Sequence, residues 1–81
     1  MLDELKTARV VVGVKQLRKA LARGEIAAVY LAENADPALT EPVAAQADAM
    51  ALPVHWVGSM AELGAACRIA VGASAAGTLR K

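Results

Sequence analysis

The order of hydrophobic and polar residues along the chain predicts strands and helices that alternate. Short apolar runs such as RVVVG, at residues 9–13, are typical of buried strands. Between residues 15 and 23, Leu17, Ala20 and Leu21 instead recur at helical spacing. The pattern predicts, in order, helix 2–7, strand 9–13, helix 15–23, strand 28–32, turn 34–37, helix 40–50, strand 53–57, helix 59–67, loop 68–72 and strand 73–79.

Local signals mark where the helices begin and end. Gly24 is a natural stop for the helix that precedes it, and Ser59 with Glu62 forms a capping box. For the helix predicted at residues 40–50 we expect Thr40 to be the N-cap, with Pro42 tolerated in the first turn. Alternating strands and helices with short connections predict an α/β domain in which helices cover both faces of a sheet.

Composition limits the class of protein. A chain of 81 residues has room for a single domain, which we expect to span residues 1–81. With one Trp, one Tyr and no Phe, the core must be built from Val, Leu, Ile and Ala, and the small residues of the last strand suit close helix packing. One cysteine excludes an internal disulfide, and no signal peptide or membrane-length apolar run is present, so we expect a cytoplasmic protein without a membrane partner.

Charge is segregated although the net charge is only +1. Residues 5–24 carry six basic and no acidic residues, residues 25–67 carry six acidic and no basic residues, and three basic residues follow from Arg68 onward. If the fold joins the two basic blocks, one side of the molecule is basic, as in a polyanion-binding protein. Chance segregation in a short chain is the alternative.

Catalytic chemistry finds little support in the sequence. His55 lies in a predicted strand and Cys67 ends a short Ala-rich helix, so both are interpreted as structural residues. A metal site needs three or four ligands at suitable spacing, and the sequence does not offer them. It also lacks a Gly-rich phosphate loop of the nucleotide-binding type. We therefore expect no enzymatic activity, no metal and no cofactor.

Two segments are candidates for binding. Lys15, Gln16, Lys19 and Arg23 share one arc of the first long helix, which is either a solvated face or a binding stripe. A cation in the first turn, such as Lys15, opposes the helix dipole and is locally unfavourable. A residue that breaks a local rule favours a functional role. Here the free N–H groups after Gly13, together with Lys15, could hold a phosphate.

Loop 68–72 is the other candidate. It contains the branched apolar residues Ile69 and Val71. The loop is either buried, part of an early strand, or an apolar platform for an unstacked base.

The segments GVKQLRKAL, RG, LAENADP, ELGAAC and IAVGASA closely resemble the L7Ae ribosomal-protein superfamily, in order and spacing. The form of the first segment is most similar to the stand-alone bacterial (YbxF-like) branch. The resemblance implies a three-layer α/β/α sandwich with a mixed four-stranded sheet. It also implies binding of kink-turn RNA, a bulge beside sheared G·A pairs that bends the helix axis sharply.

The resemblance also implies which residues contact RNA. Helix positions enter the opened major groove, an acidic position lies near the same surface, and loop positions pack on an extruded nucleotide. The candidate RNA-binding residues are Gly13, Val14, Lys15, Gln16, Lys19 and Arg23 in the helix segment, Glu33 as the acid, and Arg68, Ile69, Ala70 and Val71 in the loop.

This chain departs from the family pattern in places. Lys15-Gln16 stands where archaeal and eukaryotic members usually have Asn-Glu, and Glu33-Asn34 replaces a Glu-Asp pair. In the loop, Arg68-Ile69-Ala70-Val71 replaces the Gly-Ile-Glu-Val frequent in bacterial relatives, a change that should strengthen phosphate attraction.

The expected function is therefore that of a monomeric, non-catalytic protein in a ribonucleoprotein. Its partners would be kink-turn RNA and, as a candidate, the ribosome, with no DNA. The alternative is a protein-interaction module of the same superfamily that acts without RNA and uses the acidic block as its partner surface.

Overall fold

The computed structural model describes residues 9–80, so the helix predicted at residues 2–7 lies outside the described residues. The strands are β1 (Val10–Val12), β2 (Ile26–Ala32), β3 (Val54–Val57) and β4 (Ala75–Leu79). The helices are α1 (Val14–Ala22), α2 (Pro37–Ala49) and α3 (Met60–Ala66).

The four strands form a mixed sheet in the order β1-β4-β2-β3. β4 is antiparallel to both of its neighbours, β1 and β2, whereas β2 and β3 are parallel. β1, β2 and β3 therefore all point the same way, and only β4 runs in the opposite direction. This arrangement confirms the α/β class and the mixed four-stranded sheet.

Helices cover both faces of the sheet and complete the three layers. On one face, Leu17 of α1 and Val43 of α2 join Val29 and Leu31 of β2 in a single apolar cluster. On the other face, Leu63 of α3 packs in a second cluster with residues of β2 that include the fully buried Tyr30. Because β2 is buried on both faces, its sequence IAAVYLA has no charged residue.

Close packing explains the small residues of β4. Gly77 lies directly under Leu17, and a Cβ atom at this position would clash with the Leu17 Cδ1 methyl group. Ala75 and Ala76, which precede it, are fully buried on opposite faces of the sheet. The small side chains let α1 approach the centre of the sheet, as the sequence predicts.

The predicted N-cap of α2 is wrong. Asp36 caps this helix, since its Oδ1 accepts a hydrogen bond from the N–H of Ala38 at 3.0 Å. Pro37 occupies the first helical position, where its fixed φ favours the helix and its missing N–H has no effect. Thr40 is only 3% exposed inside the helix, and Pro42 lies in the helix interior rather than in its first turn.

Two strand boundaries differ from the prediction by two residues, and those of β1 and the start of β3 differ by one. β2 begins at Ile26, two residues earlier than predicted, because the buried Ile26 pairs with Leu79 of β4. β4 begins at Ala75, two residues later, because the N–H of Ala73 donates to the carbonyl of Met60 (3.0 Å) instead of joining the sheet. No helix among residues 9–80 is long and apolar enough to span a membrane.

Candidate nucleic-acid interface

One end of the sheet brings together the start of α1, the turn after β2 and the end of the loop before β4, and we call it the site edge. Here β1, β2 and β3 end and β4 begins. The N–H of Gly13 donates to the carbonyl of Ala75 at 2.9 Å, and the N–H of Ala32 donates to the carbonyl of Ser74 at 3.0 Å. The start of α1, the turn after β2 and the end of loop 68–74 are therefore hydrogen-bonded neighbours.

The start of α1 presents free hydrogen-bond donors. Gly13 is the N-cap with φ 102°, a conformation that L side chains rarely adopt, and no side chain caps the helix. The helix opens with a hydrogen bond from the N–H of Leu17 to the carbonyl of Gly13 (2.9 Å). Within residues 9–80, the N–H groups of residues 14–16 find no acceptor, and no acidic residue lies in the first turn. This positive helix end is suited to an anion.

The basic stripe on α1 is exposed along its whole length. Leu17, Ala20 and Leu21 form the buried face, while Lys15 and Lys19 point to solvent. The stripe does not lie entirely at the site edge, because Arg23 is the C-cap at the other end of the helix. At 1.5 Å per residue, it lies roughly 12 Å along the axis from Lys15. Gln16 and Arg23 both line a groove of about 330 Å³ beside β1 and β4.

Loop 68–72 is neither buried nor an early strand. Arg68 adopts φ 61°, and the N–H of Ile69 donates to the carbonyl of Gly64 at 3.1 Å, which closes the end of α3. Ile69 packs partly into the α3-side core, whereas Val71 is 71% exposed. Arg68 and Ala70 are also exposed. The loop thus offers Val71 to solvent beside a half-buried Ile69.

The backbone of α3 holds this loop in place. Gly64 lies against the loop so closely that a Cβ atom there would clash with the carbonyl oxygen of Val71. Gly72 lies against Met60, where an added Cβ would be 3.1 Å from the Met60 Cβ. The loop is therefore fixed at two points by backbone packing.

Asn34 and Met60 connect the segments of the site edge, which the sequence did not predict. The Asn34 Oδ1 accepts a hydrogen bond from the N–H of Met60 at 2.7 Å, and the carbonyl of Met60 accepts from Ala73 at 3.0 Å. The N–H of the exposed Glu33 donates to the carbonyl of Val57 at 2.8 Å. Asn34 and Met60 are 26 residues apart, so no local pattern signals this contact.

The charge distribution corrects the expectation of one basic side. Arg9 and Arg80 lie at the end of the sheet opposite the site edge, where the carbonyl of Arg9 accepts from the N–H of Leu79 (3.0 Å). Lys15 at the start of α1 lies at the site edge, whereas Arg68 follows the C-cap of α3, at the end of that helix away from the site edge. The acids Glu33, Asp36 and Glu62 flank the same edge. The site edge thus carries charges of both signs.

Two residues considered for catalysis have structural surroundings. Burial raises the pKa of the Cys67 thiol, which favours the neutral, unreactive form. The ring of His55 stacks on Tyr30 with the ring centroids 5.0 Å apart. Both residues therefore pack against the α3-side core, as the sequence indicates.

Comparison with known proteins decides the family. The model of the ribosomal protein L7Ae/L30e/S12e/Gadd45 family matches residues 2–81. The chain belongs to this family. The resemblance stated from the sequence is thereby confirmed.

Two of the curated relatives of this L7Ae-family chain come from Geobacillus. It is 45% identical over 76 residues to "RNA-binding protein GK0100" of Geobacillus kaustophilus, covering 94% of this chain and 93% of the relative. The same figures hold for "RNA-binding protein YbxF" of Geobacillus stearothermophilus.

Solved structures share the L7Ae-type fold. The Giardia lamblia 15.5kD RNA binding protein superposes with a TM-score of 0.89 at 24% identity, over 99% of this chain and 71% of that protein. A Bacillus halodurans protein of unknown function gives 0.87 at 23% identity, over 98% of this chain and 83% of that one. At these identities the likeness shows the fold alone.

Proposed function

We propose that this L7Ae-family protein binds RNA that contains a kink-turn, at the site edge. The names of its bacterial relatives support RNA as the ligand. The observation that carries the proposal is the hydrogen bond from Gly13 to Ala75, because it joins the open end of α1 to the strand that follows loop 68–74. A regular A-form major groove is too deep and narrow for side chains, whereas a kinked RNA can admit the end of one helix.

Each candidate residue then has a distinct role. The free N–H groups after Gly13, together with Val14 and Lys15, take a phosphate, and Gln16 donates to and accepts from base edges. Lys19 and Arg23 continue the phosphate contacts along α1. Glu33 accepts from base amino groups.

The loop supplies the remaining contacts. Ile69, Ala70 and Val71 pack on an unstacked nucleotide, which single-stranded or bulged RNA can offer. Arg68 adds a phosphate contact beside this platform.

The direct test compares three RNAs by fluorescence anisotropy at fixed salt. We expect tight binding to a duplex with a three-nucleotide bulge and tandem G·A pairs. Replacement of the G·A pairs by Watson–Crick pairs should abolish specific binding. Equal affinity for the kinked RNA and for a plain duplex would contradict the proposal.

A charge variant tests the role of α1. Lys19→Ala should weaken binding and reduce the slope of log affinity against log salt by about one, since one phosphate contact is lost. Arg9→Ala is the matched control, because Arg9 is an exposed cation at the opposite end of the sheet. Equal losses in both variants would indicate general charge attraction instead of a defined site.

We also propose that the protein acts as a non-catalytic monomer in the cytoplasm, associated with the ribosome. Sedimentation of cell extracts at two salt concentrations tests the last point. Co-migration with ribosomal particles at low salt, lost in a Lys15→Ala and Lys19→Ala double variant, is the expected result. Partners that survive nuclease treatment would instead favour a protein-interaction module.

A further inference from the structure

A groove between α1 and α2 extends beyond the contacts proposed above. It has a volume of about 640 Å³. Val14 and Ala22 of α1 and Leu39 of α2 line its apolar floor. Leu39 is 45% exposed and so presents apolar surface to solvent in this groove.

The charged residues that line the groove are all basic. Lys15, Arg18 and Lys19 form its α1 wall, and no ion pair neutralises them within residues 9–80. The α2 wall contributes Leu39 and Gln46. The exposed acids of α2, Glu41 and Asp48, each lie two positions further on, so at about 100° per residue they face away from the groove.

Gln46 joins the two walls. Its Nε2 donates to the carbonyl of Arg18 at 3.5 Å, across 28 residues of sequence. Its Oε1 is shielded from solvent and has no partner in the described part of the chain. The backbone at Arg18 is thereby linked to α2, which fixes the width of the groove beside the Arg18 side chain.

The groove is continuous with the site edge. Lys15 and Lys19 belong both to the proposed RNA contacts and to the groove wall. From Val14 to Ala22 the groove follows α1 for roughly 12 Å at 1.5 Å per residue. That length corresponds to about four base-pair steps, because an A-form stem rises less per step than the ~3.4 Å of DNA.

We propose that this groove binds the helical RNA stem that leaves the kink on the α1 side. The proposal rests on the proposed function. Arg18 and Lys19 contact phosphates of one strand, and Leu39 packs against its riboses, which a wide and shallow A-form minor groove displays. An acidic peptide would also complement the charge, but the shared lysines make the groove an extension of the RNA surface.

The experiment varies the length of that stem. Kink-turn RNAs keep the bulge and G·A pairs, and the stem beyond them is extended from one to eight base pairs. For the wild-type protein we expect affinity to rise until about four added pairs and then to level off. Which of the two stems lies on the α1 side is found by extending each in turn.

Variants test whether the groove causes the dependence of RNA affinity on stem length. Arg18→Gln keeps most of the side-chain length and removes the charge. It should weaken binding of the long-stem RNA about 3- to 10-fold, lower its salt slope by about one, and leave the trimmed RNA unaffected. Leu39→Ser should give a smaller loss with the same dependence on length. Arg9→Gln, the matched control at the opposite end of the sheet, should change neither affinity.

Several outcomes would overturn the inference while leaving the proposed function intact. These are wild-type affinity that does not depend on stem length, or losses in Arg18→Gln that are equal for long and trimmed RNA. NMR shifts at Leu39 and Gln46 caused by an acidic amphipathic peptide but not by the long stem would also overturn it. Absence of binding to every kink-turn RNA would contradict both proposals. Melting curves that match wild type show that each variant is folded.

Discussion

The helices α1, α2 and α3 end in the same hydrogen-bond pattern, and the residue after each C-cap has positive φ. These residues are Gly24 (φ 70°), Ala51 (φ 57°) and Arg68 (φ 61°). After α2, for example, the N–H of Leu52 donates to the carbonyl of Ala47 at 2.9 Å. Glycine adopts this conformation freely, whereas a residue with a Cβ atom pays roughly 1–2 kcal/mol. The second and third helices therefore end at strained positions.

At Ala51 the strain has no evident use, so its removal should stabilise the protein. We expect Ala51→Gly to raise the free energy of unfolding by about 0.5–1 kcal/mol, after the larger chain entropy of glycine in the unfolded state is subtracted. For a domain of this size the melting temperature should rise by roughly 2–8 °C. Thermal unfolding followed by circular dichroism measures this, and a lower melting temperature would show that the cap is not strained.

Arg68 has the same backbone conformation but lies beside the candidate platform. We expect Arg68→Gly to stabilise the fold by about as much as Ala51→Gly, while kink-turn RNA affinity falls about 3-fold or more because one phosphate contact is lost. Ala51→Gly is the matched control, with the same relief of strain and no change in affinity. Strain at a functional residue is common where the side chain is needed. Unchanged RNA affinity in Arg68→Gly would show that this arginine does not contact RNA.

At the scale of elements, the platform depends on how α3 meets loop 68–72. We expect Gly64→Ala to destabilise the protein by about 1–3 kcal/mol, since the new Cβ must displace the carbonyl of Val71. Gly58→Ala is the control at the same edge, because its Cβ would meet only the flexible carboxylate of Glu62. Urea unfolding compares the two variants. Similar stability of both would mean that the loop moves aside easily.

The same variant tests whether the loop must be held in place for binding. If binding requires a fixed loop, Gly64→Ala should also weaken RNA binding. The loss of affinity should be smaller when Gly64→Ala is added to a variant in which Ile69 and Val71 are already alanine. Full additivity of these losses would indicate that Gly64 affects RNA binding only through overall stability.

Which elements the sequence could predict depended on periodicity. The amphipathic α1 and the apolar β2 were predicted to within about two residues, because each buries a well-defined face. The start of α2 was missed because alanines on several faces weaken its periodicity, and Asp36-Pro37 was interpreted as a turn instead of a cap followed by a first helical proline. The Asn34–Met60 hydrogen bond and the α1/α2 groove depend on tertiary packing, which local pattern does not encode.

At the scale of the whole molecule, opposite charges at the site edge favour recognition of shape over simple attraction of a polyanion. Basic residues predicted to cluster are instead divided between the two ends of the sheet, since β1 and β4 carry Arg9 and Arg80 away from Lys15. In the proposed complex, RNA phosphates lie near Lys15 at the site edge and away from Glu33. A plain duplex, whose phosphates are evenly spaced, meets these requirements poorly.

Glu33 should therefore lower the affinity for a plain RNA duplex as well as support binding of kink-turn RNA. We expect Glu33→Gln, which keeps the shape and removes the charge, to raise affinity for a plain RNA duplex about 3-fold, because one repulsive contact with phosphate is lost. Affinity for kink-turn RNA should stay level or fall, so the ratio of the two affinities decreases. Asp48→Asn is the control, because it makes the same charge change on an exposed side chain near the end of α2, away from the site edge. It should leave the ratio of kink-turn affinity to duplex affinity unchanged. If both variants raise duplex affinity equally, net charge rather than the placement of Glu33 sets the discrimination.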